Sequence, residues 1–299
     1  MEIVVFGAGS LGTLLGGLLA TEHRVTLVGR DPHVSVVHDE GLYINGEFDR
    51  RVHPGATTDG GDLTADLVVV AVKSFDTEQA ASTLSSGTFD AALSVQNGIG
   101  NEDVLEEYLD CPVLAGTATY GARLEAPGRV ACTGTGTVTV GAAAGGVSPL
   151  ADDVAAAFDA AGIETTAVTD MPRRLWQKLA VNAGINPITA LSRVHNGALS
   201  AGSTNRLARR AATETARVAR AEAIELADER AVDAIDEVID GTANNRSSMY
   251  QDVLAGRRTE IDAINGAVVD RADEHGIDAP VNETLAALVR SWERENGGR

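Results

Sequence analysis

Glu2-Ile3-Val4-Val5-Phe6-Gly7-Ala8-Gly9-Ser10-Leu11-Gly12, at the start of the 299-residue chain, decides the fold. Residues 2–6 read as a strand, and Ile3 to Phe6 are the apolar run that burial on both faces requires. The apolar stretch 14–20 reads as a helix, and between the two lies G-x-G-x-x-G. In that setting Gly7 permits the tight turn, Gly9 lets the backbone approach a pyrophosphate, and Gly12 allows close helix-to-strand packing. Gly7, Ala8, Gly9, Ser10, Leu11 and Gly12 are therefore the expected dinucleotide-binding segment, with the helix N-terminus turning amide donors and a positive dipole end toward phosphate. A plain glycine turn is the bland alternative.

Working outward, residues 24–28 read as a second strand, 67–72 as a third and 92–95 as a fourth, separated by helical segments. That alternation predicts βαβ units and a doubly wound parallel sheet of Rossmann type. Residues 112–140, rich in Thr, Val and Gly, suit further strands and tight turns. Near residue 170 the character changes to helical stretches at about 173–186, 203–228, 231–240, 244–255, 258–275 and 280–296. The expected architecture is α/β: a dinucleotide-binding domain over 1–170 and an all-helical domain over 171–299.

The second strand ends in Val28-Gly29-Arg30. An acid near this point would accept the ribose 2′-hydroxyl of NAD, whereas Arg30 offers a cation for a 2′-phosphate, which favours NADPH. Asp31 follows directly and keeps NADH open, and Arg30 as a solvated surface residue is the bland reading.

The chain holds 24 Lys plus Arg against 43 Asp plus Glu, a net charge of -19. So acidic a surface argues against nucleic acid and anionic membranes as partners. High acid content, scarce lysine and small apolar residues resemble salt-adapted proteins; GC-rich codon bias also trades Lys for Arg, but it leaves the acid excess unexplained. Hydrophobic residues make up 44% and aromatics 4%, so the core must be built from Ala, Val, Leu and Ile. No apolar run is long enough to span a membrane and no secretory signal is apparent, which predicts a cytoplasmic protein. Two cysteines, Cys111 and Cys132, make a disulfide scaffold improbable, and the six histidines lack metal-ligand spacing.

Lys73 and Lys178 are the two lysines in a chain that otherwise uses arginine. Arginine replaces a generic surface charge but cannot release a proton near neutral pH, so retained lysines mark positions that need a titratable or compact ammonium. Lys73 lies just past the third strand, at the sheet edge that borders the ligand crevice in open α/β folds, and Gln96-Asn97-Gly98 follows the next strand to the same edge. Asn-Gly is also a common turn pair. Lys178, Asn182 and Asn186 are four apart and share one helix face, with the helix expected to end or kink at Asn186 because Pro187 follows. Solvated faces usually carry Glu, Lys or Arg rather than two asparagines, although a polar outer face remains the plain alternative. Near the end come Ser247-Ser248-Met249, then Thr259-Glu260-Ile261-Asp262 and Asn265-Gly266, which as composition are only a polar stretch.

The glycine loop, Val72-Lys73, Gln96-Asn97-Gly98, Trp176-Gln177-Lys178 with Asn182 and Asn186-Pro187, Ser247-Ser248-Met249, and Thr259-Glu260-Ile261-Asp262 with Asn265-Gly266 together resemble the motifs of ketopantoate reductases, in the family's order and over nearly the whole chain. The resemblance implies NADPH-dependent reduction of the 2-keto acid 2-dehydropantoate to (R)-pantoate, toward pantothenate and coenzyme A. It also implies a helical domain similar to that of 6-phosphogluconate dehydrogenase. By position Lys178 matches the catalytic lysine and Glu260 the essential acid. Asn97, Asn182, Asn186, Ser248 and Glu260 match substrate-contacting positions, and Asn97 and Lys73 also lie on the cofactor's side. Tyr120 stands where some members of the family have histidine, and Cys132 stands in a segment where histidine is frequent. Two further readings stay open: a reductase of another small 2-keto acid, and a dinucleotide sensor without catalysis. A homodimer is compatible with either.

Overall fold

The computed structural model describes residues 1–296. It divides into two compact units: Met1–Gln96 with Gly100–Met171, and Asn97–Ile99 with the chain from Pro172 onward. The division falls between Met171 and Pro172, and the short segment Asn97–Ile99 groups with the second unit although the chain on both sides belongs to the first.

The first unit is built on an eight-stranded sheet. Strands β1 (Glu2–Phe6), β2 (Arg24–Val28), β3 (Leu42–Gly46), β4 (Arg50–Val52), β5 (Gly55–Thr57), β6 (Thr64–Val70), β7 (Thr88–Ser94) and β8 (Val113–Ala118) are followed by β9 (Gly121–Ala126), β10 (Arg129–Gly134), β11 (Val138–Ala142) and β12 (Thr165–Ala167). The large sheet runs β12-β11-β8-β7-β6-β1-β2-β5, parallel except where β11 pairs antiparallel with β8. Its centre obeys period two. Ile3 and Val5 join one core with Leu14, Leu15 and Leu18 of helix α1 (Ser10–Leu19), while Val4 joins the opposite core with Val68, Val70 and Leu84. Burial on both faces is why Ile3, Val4 and Val5 are apolar in succession, while Glu2 at the start of the strand is exposed. β1 has β2 on one side and β6 on the other, so its carboxyl end is the point where strand order reverses.

A second, four-stranded sheet of order β4-β3-β10-β9 was not anticipated beyond a general expectation of strands over 112–140. It lies against α1, with Leu42, Ile44, Val130 and Cys132 in the same core as Leu14 and Leu18. The remaining helices of this unit are α2 (His33–Glu40), α3 (Thr77–Leu84), α4 (Asn101–Tyr108) and α5 (Pro149–Ala160).

The second unit is helical: α6 (Met171–Ser192), α7 (Gly202–Ala221), α8 (Asp228–Gly241), α9 (Ser248–Leu254), a π turn at Asp262–Gly266, α10 (Ala267–Glu274) and α11 (Pro280–Asn296). Its core is rich in alanine (Ala208, Ala211, Ala212, Ala216 and Ala219 of α7), which lets helices approach closely where aromatics are few. Four expectations change. The stretch expected as helix over 203–228 stops at Ala221, that over 244–255 narrows to Ser248–Leu254, and 258–275 becomes the π turn plus α10. Helix α6 does not end at Asn186; it continues through Pro187 to Ser192. Pro187 has no N–H for the Ala183 carbonyl one turn earlier, and the Asn265 side-chain amide donates to that oxygen at 3.0 Å instead. No helix among the described residues is long and apolar enough to cross a membrane.

Candidate functional site

In the first unit the glycine loop sits at the carboxyl end of β1. The Gly7 and Ala8 amides donate to the Val28 carbonyl at 3.0 and 2.9 Å, tying the loop to the end of β2. Gly7 has φ +110, and a Cβ there would stand 2.6 Å from the Val72 amide nitrogen, so both conformation and space demand glycine. A Cβ on Gly12 would overlap the Gly7 carbonyl oxygen, the close packing expected of the third glycine. Gly9 differs. Its φ of -82 suits any residue, and a Cβ would meet nothing within 4 Å. The space in front of Gly9, at the N-terminus of α1 where no side chain caps the helix, is of the kind a pyrophosphate needs. The Ser10 hydroxyl accepts from the Leu124 amide at 3.0 Å, so its side chain serves β9 and its backbone is what it can offer a phosphate. The loop fits a dinucleotide.

At the end of β2, Arg30 reaches into solvent with its side chain 90% exposed and a guanidinium nitrogen 3.5 Å from the Asp76 carboxylate. Asp31, the neighbouring acid that keeps NADH open in the sequence, is turned back onto α2, accepting from the Ser35 amide at 3.1 Å and the Ser35 hydroxyl at 2.6 Å. Lys73 lies half-buried beyond β6, at the start of a 3-10 turn over Ser74–Asp76. That turn is held by a buried network which sequence reasoning did not single out. Gln96 donates from Nε2 to the Val72 carbonyl at 3.2 Å and to Thr77 Oγ1 at 2.7 Å, and the Thr77 hydroxyl lies 2.8 Å from Ser74 O and 2.9 Å from Asn101 Oδ1. The segments after β6 and β7 are thereby locked together. In the sequence Gln96 is only a motif neighbour of Asn97, and the alternation of strands gives no signal for such a cross-loop bond.

In the second unit, α6 carries Lys178, Asn182 and Asn186 on one face. Lys178 and Asn182 are half-buried and Asn186 is 5% exposed, so this is no solvated outer face. Past Pro187, Thr189 pairs its hydroxyl with Ser247 Oγ at 2.8 Å, and Ser247 Oγ accepts from the Tyr250 amide as the N-cap of α9. The Ser247-Ser248 pair is thus divided: Ser247 is buried and structural, while Ser248 is exposed at the first position of α9.

Glu260 is 5% exposed, and Asn97 donates from Nδ2 to its Oε2 at 3.1 Å across 163 positions of sequence. The turn at Gly98 is more than a chain reversal. Gly98 has φ +86, and a Cβ there would press on the Ala263 backbone in the π turn. Of the expected site residues in this unit, the structure brings Asn97 together with Glu260, and Lys178 together with Asn182 and Asn186. Tyr120 and Cys132, the two departures noted in the sequence, belong to the first unit, where burial pushes the phenol and the thiol above their ordinary pKa values.

The family profile described as Ketopantoate reductase PanE/ApbA matches residues 3–145, and that described as Ketopantoate reductase PanE/ApbA C terminal matches 170–293. A 2-dehydropantoate 2-reductase of Halobacterium salinarum is 44% identical over 303 residues, covering 99% of this chain and 100% of that protein. One from Archaeoglobus fulgidus is 39% identical over 293 residues, covering 98% of each chain. Among solved structures, a PanE/ApbA family ketopantoate reductase from Ralstonia eutropha superposes with a TM-score of 0.90 at 33% identity over 99% of each chain. A D-mandelate dehydrogenase in complex with NADH and anilino(oxo)acetate superposes with 0.92 at 26% identity, again over 99% of each.

Proposed function

The chain belongs to the ketopantoate reductase family, and we propose that it is a cytoplasmic enzyme that reduces 2-dehydropantoate to (R)-pantoate with NADPH, in the route to pantothenate and coenzyme A. The first unit holds the cofactor: the 7–12 loop takes the pyrophosphate, Arg30 the 2′-phosphate, and Lys73 contributes charge at the sheet edge. A dihydronicotinamide held by these residues would supply the hydride. From the second unit Lys178 donates a hydrogen bond to the substrate's C2 carbonyl oxygen. As carbon gains the hydride, Lys178 gives that oxygen its proton, so the C=O becomes CH–OH and a neutral amine is left to be reprotonated from water. Glu260, held by Asn97, orients Lys178 or the substrate hydroxyl. Asn182, Asn186 and Ser248 hold the keto acid's carboxylate and hydroxyl in reacting geometry.

The observation that carries the reading is the hydrogen bond between Asn97 and Glu260. A dinucleotide sensor needs the glycine loop but has no use for a buried carboxylate met by an amide from a different part of the chain. The D-mandelate dehydrogenase likeness keeps a second substrate in view, another small 2-keto acid, and the 44% identity to the Halobacterium protein favours 2-dehydropantoate. The test is oxidation of NADPH and of NADH with 2-dehydropantoate and a panel of other 2-keto acids, across KCl concentrations, with light scattering reading whether a homodimer forms. Preference for a different keto acid would replace the substrate, and cofactor binding without turnover of any would leave the sensor.

A further inference from the structure

Pro187 interrupts the hydrogen-bond ladder of α6 within the face that carries Lys178, Asn182 and Asn186. Proline has no N–H, and its ring crowds the carbonyl four residues earlier, which here is Ala183. Asn265, fully buried in the π turn five residues after Glu260, donates from Nδ2 to that carbonyl at 3.0 Å. Its second Nδ2 hydrogen goes to Asn282 Oδ1, also at 3.0 Å, while its own Oδ1 finds no partner. An amide kept in the core with its acceptor unused is kept for its donors, because a buried unpaired oxygen is otherwise costly.

The neighbours dictate which way that amide points. Glu214 on α7, buried, accepts from the amides of Val281 and Asn282 at the start of α11 and from Asn282 Nδ2 at 2.9 Å. A carboxylate facing these donors forces the Asn282 nitrogen toward itself, and that nitrogen also donates to Ala211 O at 3.1 Å. Asn282 Oδ1 is thereby turned to Asn265, which must answer with nitrogen, and the remaining hydrogen falls on Ala183 O. Glu214, Asn282 and Asn265 form one directed relay from the N-terminus of α11 to the broken turn of α6.

We propose that Asn265 is a positioning residue for catalysis: through Ala183 it splints α6 at Pro187, holding Lys178, Asn182 and Asn186 in register with the turn that carries Glu260. This role rests on the reductase reading given above. It also accounts for tolerance of a π turn, a geometry often found at functional sites, because the turn delivers Asn265 and begins two residues after Glu260.

The test is a double-mutant cycle of Asn265→Ala and Pro187→Ala, since alanine at 187 restores a backbone N–H for Ala183 O. The readouts are kcat and KM for the keto acid, the Kd for NADPH, and hydrogen exchange over the α6 peptide. In the Pro187 background Asn265→Ala should lower kcat at least about tenfold and speed α6 exchange, whereas in the Pro187→Ala background the same change should cost less than about threefold, the signature of two groups serving one acceptor. NADPH affinity should stay constant throughout. A purely structural asparagine would lower melting temperature without this pattern. Unchanged α6 exchange in Asn265→Ala, equal losses in both backgrounds, or a full kcat in Asn265→Ala would overturn the proposal. Wild-type protein that reduces no 2-keto acid would overturn the functional reading and the catalytic role with it, while the exchange data would still report whether the splint exists.

Discussion

Asn97 Nδ2 donates to Glu260 Oε2 at 3.1 Å, although 163 positions separate the two residues in sequence. The consequence is structural as well as chemical. Asn97–Ile99 groups with the helical unit while β7 before it and α4 after it belong to the sheet unit. Ile99 packs against the helical core, and Gly98 lets the backbone press on Ala263. Glu260 is therefore oriented by a residue that the strand order would assign to the other unit.

Replacing Lys178 with arginine tests the proton donor. The charge survives, so part of the attraction for an anionic keto acid survives with it. Guanidinium stays protonated across the working pH range and cannot supply the proton. General-acid work contributes roughly 10²–10⁴-fold, so kcat should fall at least about 100-fold while NADPH affinity, measured separately by fluorescence or calorimetry, changes little. A Lys178→Arg protein turning over near the wild-type rate would show that Lys178 supplies charge alone.

Arg30→Ala tests cofactor choice. With Asp31 engaged on Ser35, Arg30 is the charged group at the end of β2 that points to solvent. A charge-assisted contact is worth about 1.5–3 kcal/mol, so the KM for NADPH should rise roughly tenfold or more and that for NADH should hardly move. Equal effects on both cofactors would remove Arg30 as the phosphate anchor.

Gly9 and Gly12 should respond oppositely to alanine. At Gly9 the added methyl meets no protein atom within 4 Å, so folding should be spared while NADPH Kd rises at least about tenfold through collision with the pyrophosphate. At Gly12 the methyl meets the Gly7 carbonyl, and overpacking of this sort costs typically about 1–3 kcal/mol of stability. Melting temperature and calorimetric NADPH binding, measured on both variants, separate the two effects. A Gly9→Ala protein with full affinity would place the pyrophosphate elsewhere.

His33 should contribute to acid sensitivity. Its Nδ1 accepts from the Gly128 amide at 3.1 Å, so the ring proton sits on Nε2, 3.2 Å from the Thr13 hydroxyl, and burial lowers its pKa below the ordinary 6.5. A folded state that binds the proton less readily than the unfolded chain is favoured above pH 6.5 and loses that advantage as pH falls below it. Melting temperatures of the wild type should therefore drop between pH 7.5 and pH 5.5 more steeply than those of His33→Gln. Parallel curves would show that His33 does not couple to folding.

Salt should stabilise the fold. With a net charge of -19, self-repulsion among carboxylates is strong in dilute buffer, and molar KCl shortens the screening length to roughly 3 Å. The melting temperature should climb from low to molar KCl. A flat or falling curve would assign the scarcity of lysine to codon usage.

Residues 2–12 alone specified the strand, the turn and the helix, because each glycine there answers a local demand: a positive φ at Gly7, contact one turn away at Gly12, and open space at Gly9. The parallel sheet and the helical second unit were equally legible, since hydrophobic period is a property of neighbours in sequence. Lys178 and the asparagines are candidates by residue type, and Glu260 through the family motif. What they touch is not legible there. Pro187 predicts by local sterics that the helix ends or kinks at Asn186; it does not end there, and Asn265, brought back by the chain 82 positions later, supplies the missing donor to Ala183. In the same way Asn97 was assigned to the sheet unit by its place after β7 and joins the helical one through Glu260 and Ala263. Local propensity sees a span of one or two turns. A buried polar atom must find its partner wherever the fold delivers one, and only the tertiary structure decides where that is.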